Sequence, residues 1–182
     1  AEPEVPINHV ALRLRLGRLY FTRLGDPETA LQYFAETLQH RGGGVAEVEK
    51  DAAQGLVSLM EKEKSGRLEL AARAAAILEP YWLSTGQAVN LVEAKKTRLL
   101  ALRDPLDKKK VELEIAQIFE QILEQPDMAF LALARAYEHV PGDPELGIEL
   151  ERLSRAAETR EELAEIYSEA LTRLSDDSQV LA

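Results

Sequence analysis

The sequence predicts an all-α fold: an α-solenoid of stacked antiparallel helix pairs with about nine helices. Three observations carry that expectation. Apolar residues recur at helical spacing between turn signals, and no stretch alternates with period two for long enough to make a strand. Asp-Pro steps start helix after helix. The chain also nearly repeats itself at an offset of 99 residues, and self-similarity on this scale marks repeat architectures.

In the first segment Leu12, Leu16, Leu19, Tyr20 and Leu24 line one helical face. In the sixth, Val111, Ile115, Ile118, Phe119 and Ile122 do the same. Asp26-Pro27, Asp104-Pro105 and Asp143-Pro144 each join an N-cap residue to a proline, and Gln125-Pro126 is a weaker version. Aspartate accepts from the free amides of a first turn, and proline at the first helical position loses no helical bond. The acids that follow, Glu28, Asp127 and Glu145, complement the positive end of the helix dipole. These signals place helices near 6–24, 27–40, 45–62, 66–79, 87–103, 105–124, 126–139, 144–157 and 160–174. Gly42–Gly44 reads as a loose turn rather than an anion cradle. Pro80 is expected to end or kink the fourth helix, and Trp82 to plug the junction that follows. Connections this short make neighbouring helices antiparallel. The whole of 1–182 reads as a single domain.

The repeat pairs residues 14–40 with 113–139. Six pairs are identical: Leu14/Leu113, Leu24/Leu123, Pro27/Pro126, Ala30/Ala129, Ala35/Ala134 and His40/His139. At 115–141 the pattern resembles a tetratricopeptide repeat. Ile115, Ala116 and Phe119 fill its large, small and aromatic positions, and Ala129, Leu133, Ala136 and Pro141 follow, with one residue inserted in the turn. The earlier copy offers Leu16, Gly17, Tyr20, Ala30 and Phe34, but departs at Thr37 and Gly42. A weaker third match uses Leu150, Leu163, Tyr167 and Ala170, with Glu151 where a small residue belongs. Residues 45–104 resemble the family only as helix pairs. At the level of fold, long arrays punctuated this way are similar to bacterial repeat proteins. The closing run Asp176–Ala182 reads as the opening of another capped helix, so the natural chain is expected to continue.

Composition narrows the function classes. The 182 residues are 46% hydrophobic and 30% charged, which suits a globular core. No run approaches the roughly 20 apolar residues that cross a bilayer, so no membrane insertion is expected. Absence of cysteine fits a reducing, cytoplasmic setting and removes thiolate chemistry. Net charge is −10, and it is concentrated late: residues 111–182 hold 5 basic and 17 acidic side chains. That balance argues against nucleic-acid binding, which needs a basic footprint. Lys95, Lys96, Arg98, Arg103, Lys108, Lys109 and Lys110 form the one basic cluster, read here as the outer face of two helices.

No enzyme constellation is present. His9, His40 and His139 are too far apart in sequence for a helical metal pair, so no metal site is expected. Glu161-Glu162 and Asp176-Asp177 read as solvated faces rather than acid/base dyads. No phosphate-cradling or nucleophile motif occurs, and no cofactor is expected. The expected function is therefore a non-catalytic scaffold for a protein or peptide. The family resemblance implies that the ligand lies on the concave surface lined by the first helix of each pair. Carried over where the motif matches, that surface takes Arg18, Phe21 and Thr22 from the first copy, and Lys110, Gln117, Glu120 and Gln121 from the second. The alternative is self-association, head to tail, through the charge asymmetry.

Overall fold

The structure, a computed structural model, describes the backbone of residues 7–39 and 46–180 and the side chains of 9–39 and 46–175. Among these residues there is no strand. The nine α-helices are α1 (Ile7–Leu19), α2 (Pro27–Gln39), α3 (Ala46–Glu63), α4 (Leu68–Ser84), α5 (Ala88–Ala101), α6 (Pro105–Gln121), α7 (Pro126–His139), α8 (Pro144–Ala157) and α9 (Arg160–Val180). Neighbouring helices pack in pairs, as the short connections require. The chain forms two compact units, Ala1–Ala101 and Leu102–Ala182.

Local chemistry starts the helices. Asp104 accepts from the amides of Leu106 and Asp107 at α6, and Asp143 from Glu145 and Leu146 at α8. Asp26 accepts from the Thr29 amide at 3.1 Å and its hydroxyl at 2.6 Å. Gln125 caps nothing with its side chain, so Pro126 alone marks the start of α7.

In the first unit, α1 packs on α2 and α3, and α4 lies against α3 and α5. Its centre is the fully buried Phe34 ring of α2. The ring fits because Gly17 on α1 and Gly55 on α3 bare their backbones to it. A Cβ on either glycine would lie 2.7 Å from a ring atom. Thr37, which departs from the family pattern, is buried with its hydroxyl tied to the Tyr33 carbonyl at 2.7 Å. In the second unit α7 packs on α6 and α8. Ile115, Ala116, Phe119, Ala129, Leu133 and Ala136 are all buried there. Leu133 and Ala116 stand where the first copy has Phe34 and Gly17.

The two copies share an unusual backbone. After α1 the chain widens into a π turn over Tyr20–Leu24, and Gly25 closes it at φ 66° with its amide on the Tyr20 carbonyl. The Asp26 amide reaches the same carbonyl at 3.0 Å. After α6 the Leu123 amide bonds the Ile118 carbonyl at 3.0 Å, and the Gln125 amide bonds that of Phe119 at 2.8 Å. Glu124 sits at φ 54°, the counterpart of Gly25. The residue inserted in the turn is absorbed here, so α6 stops at Gln121 rather than near 124.

Two other expectations are corrected. Of the two outcomes expected at Pro80, an end or a kink, the end is overturned: the residue lies inside α4, which runs on to Ser84. A proline removes one i→i−4 bond and crowds one carbonyl, and the buried Trp82 beyond it, edge-on to Tyr81 at 4.8 Å, gives the helix reason to continue. Asp176-Asp177 begins no new helix: α9 extends through them to Val180. Pro126, Pro105 and Pro144 follow Gln125, Asp104 and Asp143, but no proline follows Asp177 to stop the running helix. His40 and Gly42–Gly44 lie outside the described residues.

Candidate functional site

Each expected binding residue sits on a helix whose opposite face is core. On α1 and its π turn, Arg18 and Thr22 are exposed and Phe21 is half-buried. The Arg18 guanidinium meets Asp51 of α3 at 2.9 Å, and Lys62 of α3 lies 4.9 Å from the centre of the Phe21 ring. Thr22 donates to the Arg18 carbonyl at 2.7 Å. Arg18 and Phe21 thus tie α1 to α3, and the pair of helices presents one wall of side chains.

The second copy repeats the plan with other residues. Glu120 on α6 takes a two-pronged contact from Arg152 on α8, at 2.6 and 2.9 Å, and Arg152 also holds Glu149 at 2.8 Å. The guanidinium keeps the Glu120 carboxyl below its usual range. Gln117 and Gln121, one turn apart, are exposed beside this clamp, and Lys110 is exposed with Asp107 at 3.5 Å. The seven expected residues therefore fall into two groups, one in each unit. Sequence reasoning missed their partners Asp51, Lys62, Arg152 and Glu149. Helical periodicity shows which face a residue occupies, but not what the neighbouring helix places opposite it.

The basic cluster is largely neutralised. Lys95 is buried and bonds Glu79 at 3.0 Å, and Arg98 reaches the same carboxylate at 2.7 Å. Lys96 pairs with Glu93 at 2.9 Å, Lys109 with the Asp143 cap, and Lys110 with Asp107. Lys95 is therefore a core-facing residue, not part of an outer face. Lys109 holds the Asp143 carboxyl below its usual range, and the capped amides add to that.

His9 is exposed on α1. His139 lies in the last turn of α7, where burial, and then the Lys108 charge, lowers its pKa. Among the described residues no group of three or more His, Asp or Glu side chains could hold a metal ion, and no helix is long and apolar enough to cross a membrane. A cavity of about 510 Å³ opens where the ends of α2 and α4 meet the start of α3, lined by Leu38, Glu49, Ile77, Pro80, Tyr81 and Thr85. Its hydroxyls at Ser84 and Thr85 are already spent on the Tyr81 carbonyl. Burial, and then Glu49, raises the Tyr81 pKa.

No protein-family model and no curated protein matches this sequence. Among solved structures, one described as a MamA RS-1 ArsTM double mutant is similar over 93% of this chain and 97% of its own, at 15% identity and a TM-score of 0.38. At that distance the fold described above stands on its own geometry.

Proposed function

We propose that the protein is a non-catalytic interaction scaffold that binds a protein or peptide through the side chains on α1 and α3 and on α6 and α8. The observation that carries this reading is the pair of cross-helix locks, Arg18–Asp51 and Arg152–Glu120. Each holds two helices in register, and each leaves a row of polar side chains outside the core. Pre-ordered side chains lose less freedom on binding than loose ones.

On the α6–α8 face of the second unit, Gln117, Gln121 and Lys110 are the contact residues, because their polar groups face solvent. Arg18 and Phe21 hold the α1–α3 wall of the first unit in shape and Glu120 the α6–α8 wall of the second, while Thr22 is bonded to its own helix. Glutamine amides donate and accept, so Gln117 and Gln121 suit a partner's backbone or neutral polar groups. Head-to-tail self-association is the less favoured reading. Divided at the boundary between the compact units, Ala1–Ala101 holds 13 basic and 13 acidic side chains, and Leu102–Ala182 holds 9 and 19. A neutral unit offers no counter-pole to an acidic one.

The test is quantitative affinity capture from the native cell with the parent chain and a Gln117→Ala/Gln121→Ala variant. The expected result is a specific partner recovered by the parent and lost by the variant, with helical content unchanged by circular dichroism. The same partners at the same yield in both captures would remove α6 from the binding surface.

A further inference from the structure

A shallow groove opens between the last turn of α7 and α9 in the second unit. Its floor is apolar: Tyr137 and Ala170 are buried, and Pro141 and Ile166 are half-buried. Glu138 of α7 and Glu169 of α9 line its edges. On α9, Glu162, Glu165 and Glu169 recur at i, i+3 and i+7, so they extend that edge as one exposed acidic row. On α7, Leu131 lies on the same stripe as Glu138 and is 47% exposed.

The charge state of these acids sets them apart. Glu112, Glu120, Asp143, Glu149 and Glu151 of the same unit are each held by a cation. Glu138, Glu162, Glu165 and Glu169 have no ion pair within the described residues. Arg173, the one base lining the groove, donates to the Glu138 carbonyl at 3.3 Å and leaves the carboxylates unmet. Glu165 and Glu169 repel each other at i, i+4, and both lie beyond the first turn, where the helix dipole would compensate them. The unit as a whole holds 9 basic against 19 acidic side chains.

We propose that this groove docks a basic amphipathic helix of a partner protein. Apolar side chains of that helix pack over Pro141 and Ile166, and its lysines or arginines meet Glu138, Glu165 and Glu169. Charge complementarity selects the occupant: an apolar floor alone would accept any hydrophobic helix, whereas unpaired carboxylates on both edges favour a cationic one and repel an acidic one. A furrow between two helices accepts a third by ridges-into-grooves packing.

The probe is a fluorescent synthetic Leu/Lys helix about four turns long, titrated with the full chain by anisotropy. Two control peptides accompany it, a scrambled one of equal composition and one with Glu in place of Lys. The expected result is saturable binding of the Leu/Lys helix at about 0.1 M salt that weakens at about 1 M. The scrambled peptide should bind at least tenfold more weakly and the Glu peptide not at all. Glu138→Gln/Glu165→Gln/Glu169→Gln alters surface side chains and should keep the fold while weakening binding about tenfold. Equal binding of the scrambled peptide would reduce the effect to bulk charge and overturn the proposal, as would no binding of the Leu/Lys helix or an unaffected triple variant. Salt-sensitive dimers of the free chain that the peptide fails to displace would assign the groove to a second copy, which also overturns it.

Discussion

The sharpest perturbation of this core is Gly17→Ala. The new methyl would sit 2.7, 2.8 and 3.3 Å from three atoms of the Phe34 ring. Retreat is blocked, because a Cβ at Gly55 would be as close to the same ring and so the ring already touches that backbone. Alanine gains about 1 kcal/mol over glycine in helix propensity, while overpacking a closed core costs about 1–3 kcal/mol. With the ring held between two helices the upper end applies, and the net loss is about 1–2 kcal/mol. At roughly 2–4 °C per kcal/mol, Tm should fall by about 2–8 °C. The second copy supplies the compensating change, since it pairs Ala116 with Leu133. Phe34→Leu alone should cost about 1 kcal/mol by leaving space. Gly17→Ala/Phe34→Leu should be no worse than that single change, a coupling of about 1–2 kcal/mol. Trp82, the only tryptophan, lies in the unit that contains Phe34, so its fluorescence during urea unfolding reports this core. A Gly17→Ala chain as stable as the parent, or a double-mutant cycle with no coupling, would refute the close-contact argument.

Other consequences are open to measurement. Glu124→Gly should stabilise the second unit by about 1 kcal/mol, because Glu124 holds a left-handed φ of 54° that glycine adopts without strain; a lower urea midpoint by circular dichroism would contradict this. Pro80→Ala should add about 1–2 kcal/mol by restoring a helical bond in α4, read by the Trp82 transition. Glu120 and Asp143 titrate below their usual range in the folded chain. Asp26 of the first unit is lowered as well, chiefly by its Thr29 hydrogen bonds. The stabilising effect of all three is complete above the unfolded carboxylate values and is lost as pH falls through the depressed folded ones, so both units should lose stability in acid, followed by circular dichroism. His139 has a folded pKa below 6.5, so stability should decline as pH falls from 6.5 towards that value, and its ring protons should titrate late by NMR.

Features that depend on adjacent residues were legible in the sequence. Asp104 and Asp143 cap helices because the acceptor and the free amides lie within three residues of each other. The apolar period likewise found Val111, Ile115, Ile118 and Phe119 in the core, but Leu12, Leu19, Leu24 and Ile122, read as the same stripes, are exposed, and Val10 and Leu14 are buried instead on α1. Features decided by distant partners were not legible. Lys95 reads as one more surface lysine until Glu79 from α4 is placed beside it. Pro80 reads as a stop unless Trp82 beyond it is known to be buried. For the candidate surface, Gln117 and Gln121 came from the family resemblance and are exposed in the structure, whereas the locks at Arg18, Phe21 and Glu120 depend on side chains about thirty to forty residues away.

The widened turn is common to the two copies. Gly25 and Glu124 hold the same left-handed conformation at the same place in the two copies, and the amides two residues before each proline-led helix's second residue, Asp26 and Gln125, reach back to the matching carbonyls of Tyr20 and Phe119. Glycine adopts that conformation freely in the first copy, and glutamate holds it under strain in the second, so the backbone of the turn is kept where the residue that suits it is not.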